Sequence, residues 1–319
     1  MPNPNRTWTI AINQTFSSTS DQQVQYREAA FALKVLMVAA GWSVSLSSDG
    51  TTAGAADYWT SAAALEINTS GSGAWIVLTS PVGWASGVAS VILYMDNASA
   101  DTTPQGFAIR GITGTYSGGS VSALPTASST ATAVSTSANI LGHTTAVDAR
   151  YATWRSSRGD IMFAVKTLGT SFFTSFIVIC SNAVGNGGGR GDNRWWITQI
   201  TSAAGAITSS FLTNASYSSS LSSGGASAVT TSAFSGLAWG MSSWLSGLDY
   251  SGETVMGIIE LGANGVSTGR QLGQWIDTYA VPLDLAFGTL DDSETAQTQR
   301  RVVVGDIALY APTASLPFA

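Results

Sequence analysis

Residues able to serve as acid, base, nucleophile or metal ligand are few in this chain. It holds one histidine, one cysteine, 13 Lys and Arg, and 19 Asp and Glu. A Ser/His/Asp relay would have to use His143. The surrounding GHTTAVDAR offers only Asp148, and no G-x-S-x-G turn is present to expose a serine. His143 therefore reads as a structural residue. Two facing carboxylates would hydrolyse a glycosidic bond. Asp160, Glu253, Glu260 and Asp284 are candidates, and the sequence places no two of them at working distance by itself. Cys180 lies in FFTSFIVICSN. A single thiol makes neither an intrachain disulfide nor a thiolate zinc site, and its apolar neighbours predict a buried, inert group.

Two loops carry the remaining chemistry. In GNGGGRGDNRWW (185–196), Asp192 and Asn193 offer oxygens, and Trp195 and Trp196 offer flat apolar faces for a sugar. Calcium takes six to eight oxygen ligands, more than this loop supplies. Arg190-Gly191-Asp192 is an integrin-type tripeptide, a short match that arises easily in a glycine-rich run. The favoured reading is a β-loop leading into a strand. Trp239 and Trp244, in FSGLAWGMSSWLSGL, join Asp192, Asn193, Trp195 and Trp196 as candidate contacts for a glycan or a protein partner. LDDSETAQTQRR (290–301) places Asp291, Asp292 and Glu294 close together, and reads as a solvated loop before the last strand. No catalytic residue, cofactor or metal is expected.

Composition narrows the class. Charged residues are 10% of the 319, against about 25% in an ordinary soluble protein. Hydrophobic residues are 45%, with 11 Trp, 11 Phe and 9 Tyr, enough for a substantial core. The surface must then be largely neutral, which protects poorly against self-association. That suits a subunit covered by neighbours. The net charge of −6 and the absence of a basic run argue against nucleic acid as a partner. No apolar stretch reaches the roughly 18 residues of a spanning helix. MPNPNRTWTI shows no cationic segment before an apolar one, so synthesis without a secretory signal is expected.

The elements that must position these residues are mostly strands. Trp8, Ile10 and Ile12 alternate within 6–12. SDQQVQYREAAFALKVLMVAAG predicts one amphipathic helix over 20–40. Ser20 is its expected cap, and Val24, Phe31, Val35 and Val38 form its stripe, joined by Leu33 and Leu36. Lys34 interrupts the stripe and predicts a surface helix. Gly41 follows as a left-handed stop, then Trp42, Val44 and Leu46 alternate with serines up to an Asp49-Gly50 turn. The glycine comes after a helix rather than before one, so GWSVSLSSDG reads as scaffold and not as an anion loop. Strands are expected at 74–80, 88–96, 107–112, 149–154, 160–168, 172–180, 195–200, 254–261, 271–276 and 301–310, with mostly loop over 203–247. The fold class is mainly β: an antiparallel β-sandwich, jelly-roll or lectin-like, with one N-terminal amphipathic α-helix. The expected units are an α+β domain over 1–116, a Ser/Thr/Ala-rich linker or arm over 117–139, and a β-sandwich domain over 140–319.

A helix of about twenty residues followed by GWSVSLSSDG and then AWIVLTSP (74–81) resembles a pattern in structural proteins of tailed-bacteriophage particles. There, a helix ends in Gly-Trp, a strand leads to a Ser-Ser-Asp-Gly turn, and a Trp-Ile-Val-Leu strand ends near a proline. RYATWRSSRGDIMFAVKT (150–167) and RRVVVGDIALYAP (300–312) resemble sandwich strands of that group. The likeness covers about two thirds of the chain, and its matched positions are turns and core, so no catalytic residue carries over. It implies a non-enzymatic virion component at a capsid vertex, collar or tail, assembled in the host cytoplasm. Its partners would be other virion proteins and further copies of itself, as a trimer or a ring, with no nucleic acid and no membrane. A carbohydrate- or receptor-binding fibre module able to hold a host surface glycan is the alternative, and a glycan hydrolase the third.

Overall fold

The computed structural model describes residues 8–66, 73–84, 88–95, 107–127, 132–135, 149–167, 173–181, 195–203, 206–212, 258–262, 271–280, 290–291, 299–304 and 307–312. The first elements are β1 (Trp8–Thr15), α1 (Gln22–Ala39), β2 (Ser43–Ser48), β3 (Ala53–Gly54), β4 (Trp75–Thr79) and β5 (Ala89–Tyr94). Next come β6 (Ala108–Thr113), β7 (Tyr116–Ser117), β8 (Thr126–Ala127) and β9 (Thr132–Ser135). The chain continues through β10 (Ala149–Ser156), β11 (Ile161–Thr167), β12 (Phe173–Ser181), β13 (Trp195–Ala203) and β14 (Ala206–Leu212). It ends with β15 (Ile258–Gly262), β16 (Gln271–Ala280), β17 (Leu290–Asp291), β18 (Gln299–Val304) and β19 (Ile307–Pro312). The described residues are thus mainly strands in antiparallel sheets, with one α-helix among them.

One sheet runs β1-β10-β11-β12-β13-β14 and a second runs β3-β2-β4-β5-β6-β9. A third runs β15-β16-β19-β18-β17, and β7 and β8 form a two-stranded ribbon. The first strand therefore pairs with strands that follow residue 149, tying the two ends of the expected 1–116 and 140–319 units into one sheet. The single strand expected over 301–310 is instead two strands, β18 and β19, paired antiparallel. β14 falls within a stretch expected to be loop.

Helix α1 lies in the core that joins the first two sheets. Tyr26, Ala29, Ala30, Leu33 and Met37 are fully buried, packed with Ile76, Leu78, Val91 and Leu93 of the second sheet and Ile161, Phe163 and Val165 of the first. The predicted stripe is split: Leu33 and Leu36 are buried and Phe31 packs against the core, while Val35 and Val38 are 47% and 42% exposed. Two alanines let the backbone approach the sheets closely, and the larger valines face away. Asp21, not Ser20, caps the helix, its Oδ1 accepting from the Gln23 and Val24 N–H groups at 2.9 and 3.2 Å. Aspartate adds its charge at the positive end of the helix dipole. Lys34 is buried rather than solvated. Its Nζ donates to the Trp59 carbonyl at 3.1 Å and pairs with Asp57 at 2.5 Å, so the cation is matched inside. At the other end Gly41 has φ of +95°, while Trp42 N–H donates to the Met37 carbonyl and Gly41 N–H to that of Val38, a Schellman stop.

The second sheet is buried on both faces, as the unbroken apolar runs of β4 and β5 require. Trp75, Val77, Ile92 and Tyr94 point away from the helix and pack with Tyr116 and Leu124. The serine-rich segment begins by folding back on this face. Trp75 Nε1–H donates to the Ser120 carbonyl at 3.0 Å, and Pro125 is buried. Further on, β9 adds a strand to the same sheet. The described part of the expected arm lies on its own chain.

Candidate functional site

The turn between β10 and β11 is where the chemistry-bearing residues converge. Ser156 and Asp160 close it with a backbone bond at 2.9 Å. Asp160 is 1% exposed. Its Oδ2 accepts from Ser156 Oγ–H at 2.6 Å, and its Oδ1 accepts from Trp84 Nε1–H at 3.2 Å. Its own N–H donates to Ser156 Oγ at 3.0 Å. One residue earlier, the Gly159 carbonyl accepts from Trp42 Nε1–H at 2.8 Å. The Trp42 and Trp84 rings meet edge to face, 4.9 Å between centroids. GWSV, SPVGW and SSRGD, far apart in sequence, thus meet as one clamp between the two sheets. A carboxylate with both oxygens engaged by a buried indole and a buried hydroxyl holds structure. It has no open position for a sugar.

The same pattern repeats in Trp59 and Trp75, whereas the buried Trp154 indole N–H has no hydrogen-bond partner among the described residues. Trp59 is fully buried and its Nε1–H donates to the Ser48 carbonyl at 2.9 Å. Trp75 is tied to Ser120 as above. Four indoles thus join segments distant in sequence, burying a large apolar ring and satisfying a backbone or carboxylate acceptor at once.

An open groove of about 700 Å³ lies between α1 and the β1/β10 pair. Tyr151, Thr153 and Arg155 line it as alternate residues of β10, with Thr9 and Ala11 opposite in register across from Arg155 and Thr153. The helix contributes Glu28, Phe31, Val35 and Ala39. Glu28 accepts from Ser17 N–H at 2.9 Å and also from its hydroxyl. Phe16 and Tyr151 pack at 5.0 Å, and Tyr151 stacks on Phe163 at 5.7 Å. Burial, and then the nearby Glu28 charge, push the Tyr151 phenol above its ordinary value. At the far end, Arg155 Nη1–H donates to the Ala39 carbonyl at 2.7 Å, where the helix dipole is negative. One acid and one base therefore sit at opposite ends of a trough lined mainly by apolar and hydroxyl groups. That arrangement suits docking of a surface. Among the described residues no cluster of three His, Cys, Asp or Glu is placed to hold a metal ion.

The residues expected from sequence fall elsewhere. Asp192, Asn193, Trp239 and Trp244 lie outside the described residues, as do His143, Asp148, Glu253, Asp284, Asp292 and Glu294. Trp195 and Trp196 open β13, paired with Ser181 and Cys180 of β12. Glu260 is in β15, paired with Gln274, and Asp291 is in β17, paired with Arg301. Glu28, Tyr151 and Arg155 carry no motif in the sequence. The only signal toward their groove is the Val24, Phe31, Val35, Val38 stripe. No protein family, curated protein or solved structure matches the chain.

Proposed function

We propose that this chain is a non-enzymatic structural subunit of a tailed-phage particle, placed at the capsid vertex, collar or tail and acting through protein–protein assembly. The observation that carries the proposal is the destination of the phage-like motifs. The Gly-Trp after the helix, the proline-ended strand with its following Trp84, and the Ser-Ser-Arg-Gly-Asp turn all meet in one buried clamp. Asp160, one of the candidate glycosidase carboxylates, is engaged there by Trp84 and Ser156. The proposed architecture is a β-sandwich of jelly-roll or lectin-like type, supported by the core shared between two sheets and α1. Such a subunit would bury neutral and apolar surface against other virion proteins and copies of itself, with few salt bridges. The 10% charge content fits that mode, and the acidic balance gives no footprint for nucleic acid. No helix among the described residues is long and apolar enough to cross a membrane. The reading places the chain in the virion after assembly in the host cytoplasm.

Quantitative mass spectrometry of density-purified particles from a culture carrying the gene tests this. The chain is expected to co-purify with the particle at a fixed ratio to the capsid protein. Recovery only in the soluble fraction would overturn the proposal.

A further inference from the structure

Helix α1 buries one face against the sheets and leaves Val35 and Val38 of a neighbouring row exposed, although Phe31 of that row packs against the core. Tyr26, Ala29, Leu33 and Met37 are buried against the sheets. Val24, Glu28, Phe31, Val35 and Val38 follow a 4-3-4-3 spacing, the a/d spacing of a helix–helix seam. Glu28, Phe31 and Val35 of that row line the groove, Val35 well exposed and the other two partly so, and Val38 is exposed as well. The row continues past the helix end, where Pro81 lies against Gly41 and carries the fully exposed Val82. Seam spacing calls for a helix, and α1 is the only α-helix among the described residues.

The charges select the arrangement. Glu28 and Arg155 are the only charged residues lining the groove. Arg155 is anchored at Ala39, eleven residues along the helix from Glu28, or about 16 Å. A groove with an acid at one end and a base at the other is self-complementary about a two-fold axis across its middle. Two antiparallel copies would bring Glu28 of each to Arg155 of the other, whereas parallel copies would set like charges together.

We infer that α1 and its groove form an isologous interface, in which a second copy of this chain lays its α1 antiparallel along the first. The inference rests on the assembly reading and gives it a specific contact. An isologous contact joins copies in pairs, so the assembly is a dimer, or a ring doubled through this face, rather than the bare trimer or ring expected from sequence.

Val35 lies about 2 Å along the helix from the midpoint between Glu28 and Ala39, close to the proposed axis, and Val24 lies at an end. The test uses the full chain with Val35→Glu, Val35→Cys and Val24→Cys, the parent with its single Cys180 serving as control. Light scattering is expected to give a paired parent. Val35→Glu should weaken pairing roughly 100-fold or more, because each copy then buries an unpaired charge. Mild oxidation should link Val35→Cys into a covalent dimer and leave Val24→Cys and the parent unlinked. Val35→Cys unlinked, with Val35→Glu unchanged in mass and the parent still oligomeric, would overturn this contact and leave the assembly reading standing. Linking of Val24→Cys to itself would overturn the antiparallel geometry. A monomeric parent with no linking would overturn both. Should Val35→Glu lose its circular dichroism spectrum, the cysteine pair decides.

Discussion

Asp160→Ala separates a structural carboxylate from a catalytic one. The substitution leaves Trp84 Nε1–H and Ser156 Oγ–H without their acceptor at a position 1% exposed. A hydrogen bond to a charged group contributes about 1.5–3 kcal/mol, and an orphaned buried donor costs a comparable amount. The two bonds share Ser156 and the same turn, so they do not simply add. A loss of about 3 kcal/mol follows, which at about 1.5 °C per kcal/mol for a chain of this size lowers Tm by roughly 4–5 °C. Scanning calorimetry gives the shift, and the Trp84 indole N–H resonance, followed by NMR, should move upfield as its acceptor disappears. A variant melting within about one degree of the parent, with that resonance unmoved, would refute the clamp. Were Asp160 a glycosidase acid or base instead, the variant would keep its Tm and lose turnover on a glycan panel.

Three further outcomes follow from the same geometry. Burial pushes the Asp49 carboxyl up, but bonds from Thr52 and Thr51 outweigh it and hold the group below its ordinary 3.8. Its stabilising contribution is therefore present above pH 3.8 and lost as pH falls through the folded value. The stability gap between parent and Asp49→Asn, measured by urea melts, should close on acidification. Gly50→Ala should be the harsher of two glycine changes. Gly50 has φ of +99° and an added Cβ would lie 2.6 Å from Glu66 Cβ, whereas Gly83, at +75°, has nothing within 4 Å. Urea midpoints should show Gly83→Ala costing about 1 kcal/mol and Gly50→Ala clearly more; equal costs would mean that the Glu66 contact does not matter. Finally, the absorbance difference between parent and Tyr151→Phe should titrate above pH 10, and Glu28→Gln should lower that midpoint.

Much of the architecture was legible because it is local. The 3.6-residue period gave α1, Gly41 gave its end, and the apolar runs at 74–80 and 88–96 gave β4 and β5, whose burial on both faces the structure adds. What stayed hidden depends on contacts distant in sequence. Nothing near Trp42 announces that its indole reaches Gly159, or that Asp160 meets Trp84. Those bonds exist only once two sheets are stacked. The helix shows the limit most clearly. Its expected stripe reaches the core only at Leu33, Leu36 and Phe31, while the rest of the buried face comes from Tyr26, Ala29, Ala30 and Met37, of which the two alanines are too small to mark a hydrophobic pattern. Lys34 misled for the same reason: its acceptors, Asp57 and the Trp59 carbonyl, come from a loop that sequence alone does not fold back. The candidate contact residues Asp192, Asn193, Trp239 and Trp244 lie outside the described residues, so the groove rests on different side chains altogether.

The central claim is that this chain works by associating through neutral surface. The most direct measurement is its solution mass by light scattering, in low and in high salt. The account predicts a mass that is an even multiple of the 32.8 kDa chain and that persists in high salt, because apolar burial rather than ion pairing holds the copies together. A monomer under both conditions, or an assembly that dissolves at moderate salt, would contradict it.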